Sequence, residues 1–319
     1  MTEKARAPAI RIRGLKKWYG DFQALKGVDL KIEEGQFYGL LGPNGAGKST
    51  TIHILTGLAT FSEGDVRVFG RDVVSDFRFT RSHIGLAAQE FNFDRFFTIK
   101  TLLEFQGGYF GMPKREAENR AEELLHQFGL WEKRDQDSRK LSGGQKRRLQ
   151  IAKALIHEPT VLILDEPTAG VDVELRHMLW DYLRELNDQG VTILLTTHYI
   201  EEAEQLCEEV SVINHGEIIA DGSPDQLMDE MGIGCIELQL DDHIETIPET
   251  LTGYDASLED NFIRIRMEQP NKALQQVINA LNAADLGVYE VRIRENSLED
   301  VFVRLTGHTM AEEATDGQP

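Results

Sequence analysis

The chain has 319 residues, 41% hydrophobic and 28% charged, with 34 basic side chains against 54 acidic and a net charge of -20. That length suits one large and one small globular domain. The acidity makes a poor general nucleic-acid binder, because a phosphate backbone demands a basic face, although net charge leaves room for a local basic patch, and no run of about eighteen apolar residues is present to cross a bilayer.

The N-terminal MTEKARAPAIRIRG carries charges but no apolar core of a secretory signal. Residues 9–13 and 28–41 read as short strands with turns between. GVDLKIEEGQFYGLLG alternates and then becomes the continuous apolar run FYGLL. That change predicts an edge strand feeding a buried parallel strand. A glycine-rich loop follows, then a helix from Lys48 to Leu58.

Residues 91–150 are mostly helical in pattern and form a lobe of their own. Within it, Ala117, Ala121, Leu124, Leu125 and Phe128 share one helical face, with Gly129 as a stop. KLSGGQKRRLQIAKALI, residues 140–156, opens another helix at Ser142, a good N-cap. Gly143 and Gly144 then follow where glycine costs backbone entropy. That cost is explained if something must come very close to the backbone. TVLILDEP and VTILLTTH read as buried strands, the second being too short to span a membrane. Between them Asp172 caps a helix that stops at Gly190.

Strands alternating with helices predict an α/β fold, a parallel sheet covered on both faces. The pattern changes near Gly232. CIELQLDD, NFIRIRM and VYEVRIR read as strands, NKALQQVINALNAADLG as a helix, and NSLEDVFVRL as a second helix with Ser297 and Asp300 as a capping box. The expected organisation is a main domain over 1–231, a small α+β domain over 232–307 and a disordered polar tail over 308–319. Cys207 and Cys235 show no metal or disulfide spacing and read as free thiols of a reducing compartment. No internal repeat is present.

GPNGAGKST, residues 42–50, matches the phosphate-loop pattern between an apolar strand and a helix. The loop comprises Gly42, Pro43, Asn44, Gly45, Ala46, Gly47, Lys48, Ser49 and Thr50. Its backbone N–H groups and the helix N-terminus suit anionic phosphate. Lys48 suits the β- and γ-phosphates, and Ser49 a Mg²⁺ ion. VLILDEP ends a buried strand in two acids. α/β sheets bind ligands at strand C-termini, so Asp165 would hold the Mg²⁺ and Glu166 would orient and deprotonate an attacking water. His198 ends the next buried strand and is a candidate γ-phosphate contact.

Taken in order, the phosphate loop, LSGGQ at 141–145, the LDEP strand and His198 resemble the nucleotide-binding subunits of ABC transporters over about residues 9–230. The resemblance implies a P-loop NTPase core of ABC type with antiparallel β and helical subdomains. It implies ATP and Mg²⁺ as cofactors. Tyr19 is similar to the family's adenine-stacking aromatic, and Gln89 to the glutamine that touches Mg²⁺ and the attacking water. AGVD, 169–172, is similar to the loop crossing between protomers but departs from the commoner pattern at Ala169 and Val171. The resemblance also implies a head-to-tail dimer, in which Ser142, Gly143, Gly144 and Gln145 face the ATP held by a second copy.

Six phenylalanines, Phe91, Phe93, Phe96, Phe97, Phe105 and Phe110, crowd residues 91–110 directly after Gln89. There the family receives a short helix of its permease, and aromatics favour interface centres. NSLEDVFVRLTG is similar to the ending of daunorubicin-resistance-like exporter subunits, which work beside a separate type 2 ABC permease. The expectation is therefore the ATPase motor of an exporter, held at the cytoplasmic face of the membrane by that permease, with no nucleic-acid partner. The alternative is a soluble ABC-type ATPase acting on ribosomes or nucleic acid. Relatives of that kind carry two motor domains or a long coiled coil, and this chain has one phosphate loop and one LSGGQ.

Overall fold

A computed structural model describes residues 7–307 except 95, 169, 170, 232, 233, 242, 243, 245, 260, 261, 268, 269, 285, 295 and 296. The expected tail, 308–319, and Ala169 and Gly170 of the AGVD segment therefore lie outside the described residues. The chain forms two compact units, Met1–Asp221 and Gly222–Pro319.

In chain order the first unit runs β1 (Ile10–Tyr19), β2 (Phe22–Ile32), β3 (Phe37–Leu41), α1 (Lys48–Leu55), β4 (Glu63–Val68), β5 (Arg71–Asp72), α2 (Phe77–His83), β6 (Ile84–Ala87), α3 (Ile99–Tyr109), α4 (Lys114–Gln127), α5 (Gly143–Leu155), β7 (Val161–Asp165), α6 (Val173–Asp188), β8 (Thr192–Thr197), α7 (Ile200–Leu206) and β9 (Glu209–Asn214), with β10 (Glu217–Gly222) at its boundary.

Two sheets share this unit. One has the order β2-β1-β4-β5 and its neighbours pair antiparallel. The other has the order β10-β9-β3-β8-β7-β6. Its pairs β3–β8, β3–β9, β7–β8 and β6–β7 are all parallel. The reason is visible in the residues. Every residue of FYGLL, VLILD and TILLTT is buried, as strands covered on both faces must be. Each fully buried Ile, Leu or Val there contributes about 1.5–3 kcal/mol. β1 runs beyond the expected 9–13 to Tyr19, because Gly14, at φ +55°, lets the strand shift register and continue past the charged Lys16 and Lys17. α1 stops at Leu55, short of the expected Leu58, since Gly57 takes φ +72°.

Parallel pairing has one consequence for function. β3, β6, β7 and β8 all end at the same edge of the sheet, so the residues after Leu41, Ala87, Asp165 and Thr197 converge there.

The second unit contains α8 (Pro224–Met231), β11 (Gly234–Leu240), β12 (Asp255–Glu259), β13 (Phe262–Met267), α9 (Pro270–Asn282), β14 (Val288–Arg294) and α10 (Leu298–Thr306). Its antiparallel sheet has the order β12-β13-β11-β14. Ile236, Leu238, Ile263 and Ile265 form one buried face with Val277 and Leu281 of α9. Ser297 and Asp300 form the capping box of α10. α8 packs against α10, which sets the division of the units at 221/222, ahead of the composition change near 232. β12 has no counterpart in the sequence reading, because DASLE carries no aliphatic alternation.

Candidate active site

The loop after β3 wraps the start of α1. A side-chain carbon at Gly42 would lie 2.3 Å from the Ile213 carbonyl oxygen, and one at Gly47, where φ is +118°, would lie 2.7 Å from Leu25 Cδ2. Both positions therefore admit glycine alone, and the loop is forced into its curl. Lys48 is buried, and its Nζ donates to the Gly42 carbonyl at 2.5 Å and the Pro43 carbonyl at 3.0 Å.

At the end of β7, Asp165 is held from the neighbouring strand. Thr196 Oγ1 donates to Asp165 Oδ1 at 2.6 Å, and Ser49 Oγ to Oδ2 at 3.4 Å. Hydroxyl and carboxylate oxygens at that spacing fit a hard cation such as Mg²⁺. No cluster of three or more His, Cys, Asp and Glu exists among the described residues.

Glu166 is buried and sits at φ +50°, a left-handed conformation that a non-glycine residue adopts at a cost. Its backbone N–H is anchored on the Thr196 carbonyl at 2.9 Å. Gln89 Nε2 donates to Glu166 Oε2 at 2.8 Å, and His198 Nδ1 lies 3.2 Å from Oε1. Burial works to raise the Glu166 carboxyl, but the His198 contact, Lys48 and Arg147 outweigh it, and the net shift is below the usual glutamate range. The ionised form is thus favoured.

Tyr19, Phe22, the phosphate loop, Gln89 and Glu166 line one cleft of about 320 Å³. Tyr19 is 49% exposed and Phe22 65%. Phe22 was not a candidate in the sequence reading. It pairs with Tyr19 across the Gly20-Asp21 turn, and the signal for it was an aromatic on each side of a two-residue turn.

Ser142, Gly143, Gly144 and Gln145 do not line this cleft. They form the start of α5, where Ser142 Oγ accepts from the Gln145 N–H at 3.3 Å and Gln145 Oε1 accepts from the Ser142 N–H at 3.0 Å. This reciprocal cap occupies the Gln145 side chain. A side-chain carbon at Gly144 would lie 2.5 Å from Leu175 Cδ2, whereas one at Gly143 would meet nothing within 4 Å. Nothing among the described residues accounts for glycine at 143.

Two further polar residues escaped the sequence reading. Thr196 orients Asp165, as above. Glu202, buried in α7, accepts from the Thr168 hydroxyl and from Trp180 Nε1 at 3.3 Å, tying the exit of β7 to α6 and α7. Burial pushes its carboxyl up, against the opposing hydrogen bonds of Thr168, Thr197 and Trp180. Neither has a motif around it; each is defined by a partner more than thirty residues away.

Of the six phenylalanines, Phe110 stacks on His157 at 3.6 Å and Phe97 packs on Phe105 at 4.9 Å. Phe96 is 85% exposed, as is Tyr109. Tyr109 joins two surface clefts. One, of about 340 Å³, also contains Leu58, Phe110 and Lys153; the other, of about 480 Å³, contains Phe105 and Met112. Phe93 and Phe96 line neither.

The fold and this cleft define a P-loop ATPase core. A family model described as ABC transporter matches residues 25–169. The chain is 39% identical over 307 residues to the Nod factor export ATP-binding protein I of Ralstonia nicotianae, covering 95% of each. It is 36% identical over 315 residues to the daunorubicin/doxorubicin resistance ATP-binding protein of Streptomyces peucetius, covering 97% of this chain and 95% of that one. Among solved structures, a dimeric ATP-binding cassette in a post-hydrolysis state with ADP and Pi superposes with a TM-score of 0.63 at 29% identity, over 67% of this chain and 98% of that one. The chain belongs to the ABC transporter family, among its ATP-binding, ATP-hydrolysing subunits. Among the described residues no helix is long and apolar enough to cross a membrane.

Proposed function

We propose that this chain is the motor of a two-component exporter, paired head to tail with a second copy and held at the cytoplasmic face of the membrane by a separate type 2 permease. The observation that carries this reading is the Glu166 carboxylate, gripped by Gln89 and His198, in the same cleft as the phosphate loop. Relatives matched over almost the whole chain, second unit included, are export and resistance proteins, which favours the exporter over a soluble ATPase acting on ribosomes or nucleic acid.

In this reading Tyr19 and Phe22 stack on the adenine. The phosphate-loop N–H groups and Lys48 bind the phosphates, Lys48 exchanging its loop carbonyls for phosphate oxygens. Ser49, Asp165 and Gln89 would hold Mg²⁺, which when bound supplies neutralisation of phosphate charge. Glu166 takes the proton of the attacking water, its carboxylate aimed by Gln89, while His198 contacts the γ-phosphate. Gly143 is open because the γ-phosphate bound to the second copy approaches the α5 backbone there. ATP then joins the two copies, and its hydrolysis releases them, which drives the permease between states. The clefts joined by Tyr109 receive a short helix of the permease, with Phe105 and Phe110 in their walls.

The test is Glu166→Gln. It should leave ATP affinity within about twofold, lower hydrolysis at least ~100-fold, and give a stable dimer by light scattering at saturating ATP and Mg²⁺. A variant that stays monomeric under those conditions would sink the head-to-tail reading.

A further inference from the structure

Gln89 lies in the turn after β6, and its grip on Glu166 depends on what holds that turn. The holder is α5. Gln150 Nε2 donates to the Ala88 carbonyl at 2.7 Å and also to the Glu90 carbonyl at 2.8 Å. Arg147 Nη1 donates to the Ala88 carbonyl at 3.2 Å, and its guanidinium lies 5.0 Å over the Phe91 ring. Gln89 is therefore gripped through its neighbours on both sides, by two residues one helical turn apart on a single face of α5.

Both side chains are buried, as are Leu149, Ile151, Ala152, Ala154 and Leu155 of the same helix. An amide placed there is costly unless it is hydrogen-bonded. The two carbonyls flanking Gln89 are the partners of the Gln150 amide nitrogen, while its Oε1 finds none. A packing role alone would be served better by an aliphatic residue, so the amide at 150 has its physical reason in the turn that carries Gln89.

α5 is also the helix that begins at Ser142 and Gly143. A 13-residue helix is a stiff rod about 20 Å long. A displacement of its first turn is carried to Arg147 and Gln150, and from there to Gln89.

We propose that Gln150, assisted by Arg147, is a positioning residue that fixes Gln89 against Glu166 and makes the readiness of each chain's own base depend on the placement of its own α5. This rests on the reading above that Glu166 is the base and that the α5 N-terminus meets the second copy's ATP. It adds a link within one chain: the end of α5 that touches one ATP sets the geometry around the other.

The experiment uses the full-length chain carrying Gln150→Leu, which keeps the bulk and removes the donor. Amide hydrogen exchange over residues 86–92 should rise while α5 stays protected. kcat should fall about tenfold, with KM for ATP and the affinity for a fluorescent ATP analogue within about twofold, because the phosphate loop is untouched. In a double-mutant cycle, Gln150→Leu should cost nothing further once Gln89→Ala is present. Unchanged exchange over 86–92, a kcat within twofold of the parent, or a loss that multiplies onto that of Gln89→Ala each overturns the proposal. If the leucine variant aggregates, Gln150→Met carries the same readouts. The exchange measurement separates the two levels: should Glu166→Gln hydrolyse ATP at the parent rate, the reading of the base fails, while exchange still decides whether Gln150 holds the turn.

Discussion

Gln89 and Glu166 are 77 residues apart in the chain, and their side chains meet at 2.8 Å. The other oxygen of the same carboxylate lies 3.2 Å from His198 Nδ1. One acid is thus held from the ends of two different strands, β6 and β8, with β7 between them. The carboxylate has no free choice of rotamer, and its backbone is fixed at φ +50° as well. In the proposed role of general base, a carboxylate that is already aimed loses little on reaching the transition state.

The His198 contact has a pH consequence. Burial acts to raise the Glu166 carboxyl, and the His198 hydrogen bond and charge are the largest of the influences that bring it net downward. A depressed carboxyl contributes stability that is present above its unfolded value, about 4.3, and lost as pH falls through the folded value. His198→Ala should therefore move the acidic limb of the kcat/KM profile to higher pH and lower kcat about 10- to 100-fold. A pH–rate series on both proteins checks it; an unmoved acidic limb would show that His198 does not control the base.

Gly143 and Gly144 make opposite predictions. A methyl at 143 meets nothing within 4 Å among the described residues, so Gly143→Ala should hold or raise thermal stability, by up to about 1 kcal/mol. It should nonetheless weaken ATP-dependent dimerisation about tenfold or more, because in the proposed dimer the methyl occupies the approach to the backbone. Gly144→Ala forces Leu175 to move and should lower the melting temperature. Differential scanning calorimetry and light scattering with ATP separate the two effects.

Tyr19 and Phe22 should both matter to nucleotide affinity. Stacking of a base on an aromatic is worth about 1–3 kcal/mol. Tyr19→Ala is expected to raise KM for ATP about tenfold and Phe22→Ala by a smaller factor, each with kcat within about twofold. Neither substitution should unfold the chain, since both rings are exposed. Steady-state kinetics across an ATP titration is the check, and a KM unchanged in both variants would remove the aromatics from the site.

Tyr109 and Phe96 test the coupling face. Both rings are 85% exposed, so Tyr109→Ala and Phe96→Ala should leave basal ATPase within about twofold. Tyr109 lies in both clefts and Phe96 in neither, so loss of co-purification with a membrane permease should be stronger for Tyr109→Ala. Parallel pull-downs in mild detergent give the ranking, and the reverse order would move the docking surface toward Phe93 and Phe96.

Motifs contiguous in the chain were legible because their geometry is local. A glycine loop between an apolar strand and a helix forms a phosphate cradle whatever the rest of the chain does, so residues 42–50 could be read directly. Ser142 with Gln145, Ser297 with Asp300, and Asp172 with Leu175 are also local, each pair within one helical turn. Continuous apolar runs marked β3, β7 and β8, since only strands buried on both faces lack polar positions. Where alternation broke, the reading stopped early: β1 continues through a glycine shift that no periodicity announces.

What the sequence determined by itself was therefore the set of chemical parts and the order in which they appear. Their assembly was decided by tertiary structure alone. Parallel pairing of β3, β8, β7 and β6 sends the four strand ends to one edge, and only that brings Gln89 and Glu166 to the cleft wall with Asp165 and His198 against Ser49 and Glu166. Thr196, Glu202 and Gln150 carry no pattern of their own. Each is a buried polar group whose partners lie 22 to 62 residues away, and a buried donor or acceptor is intelligible only once its partner is in place.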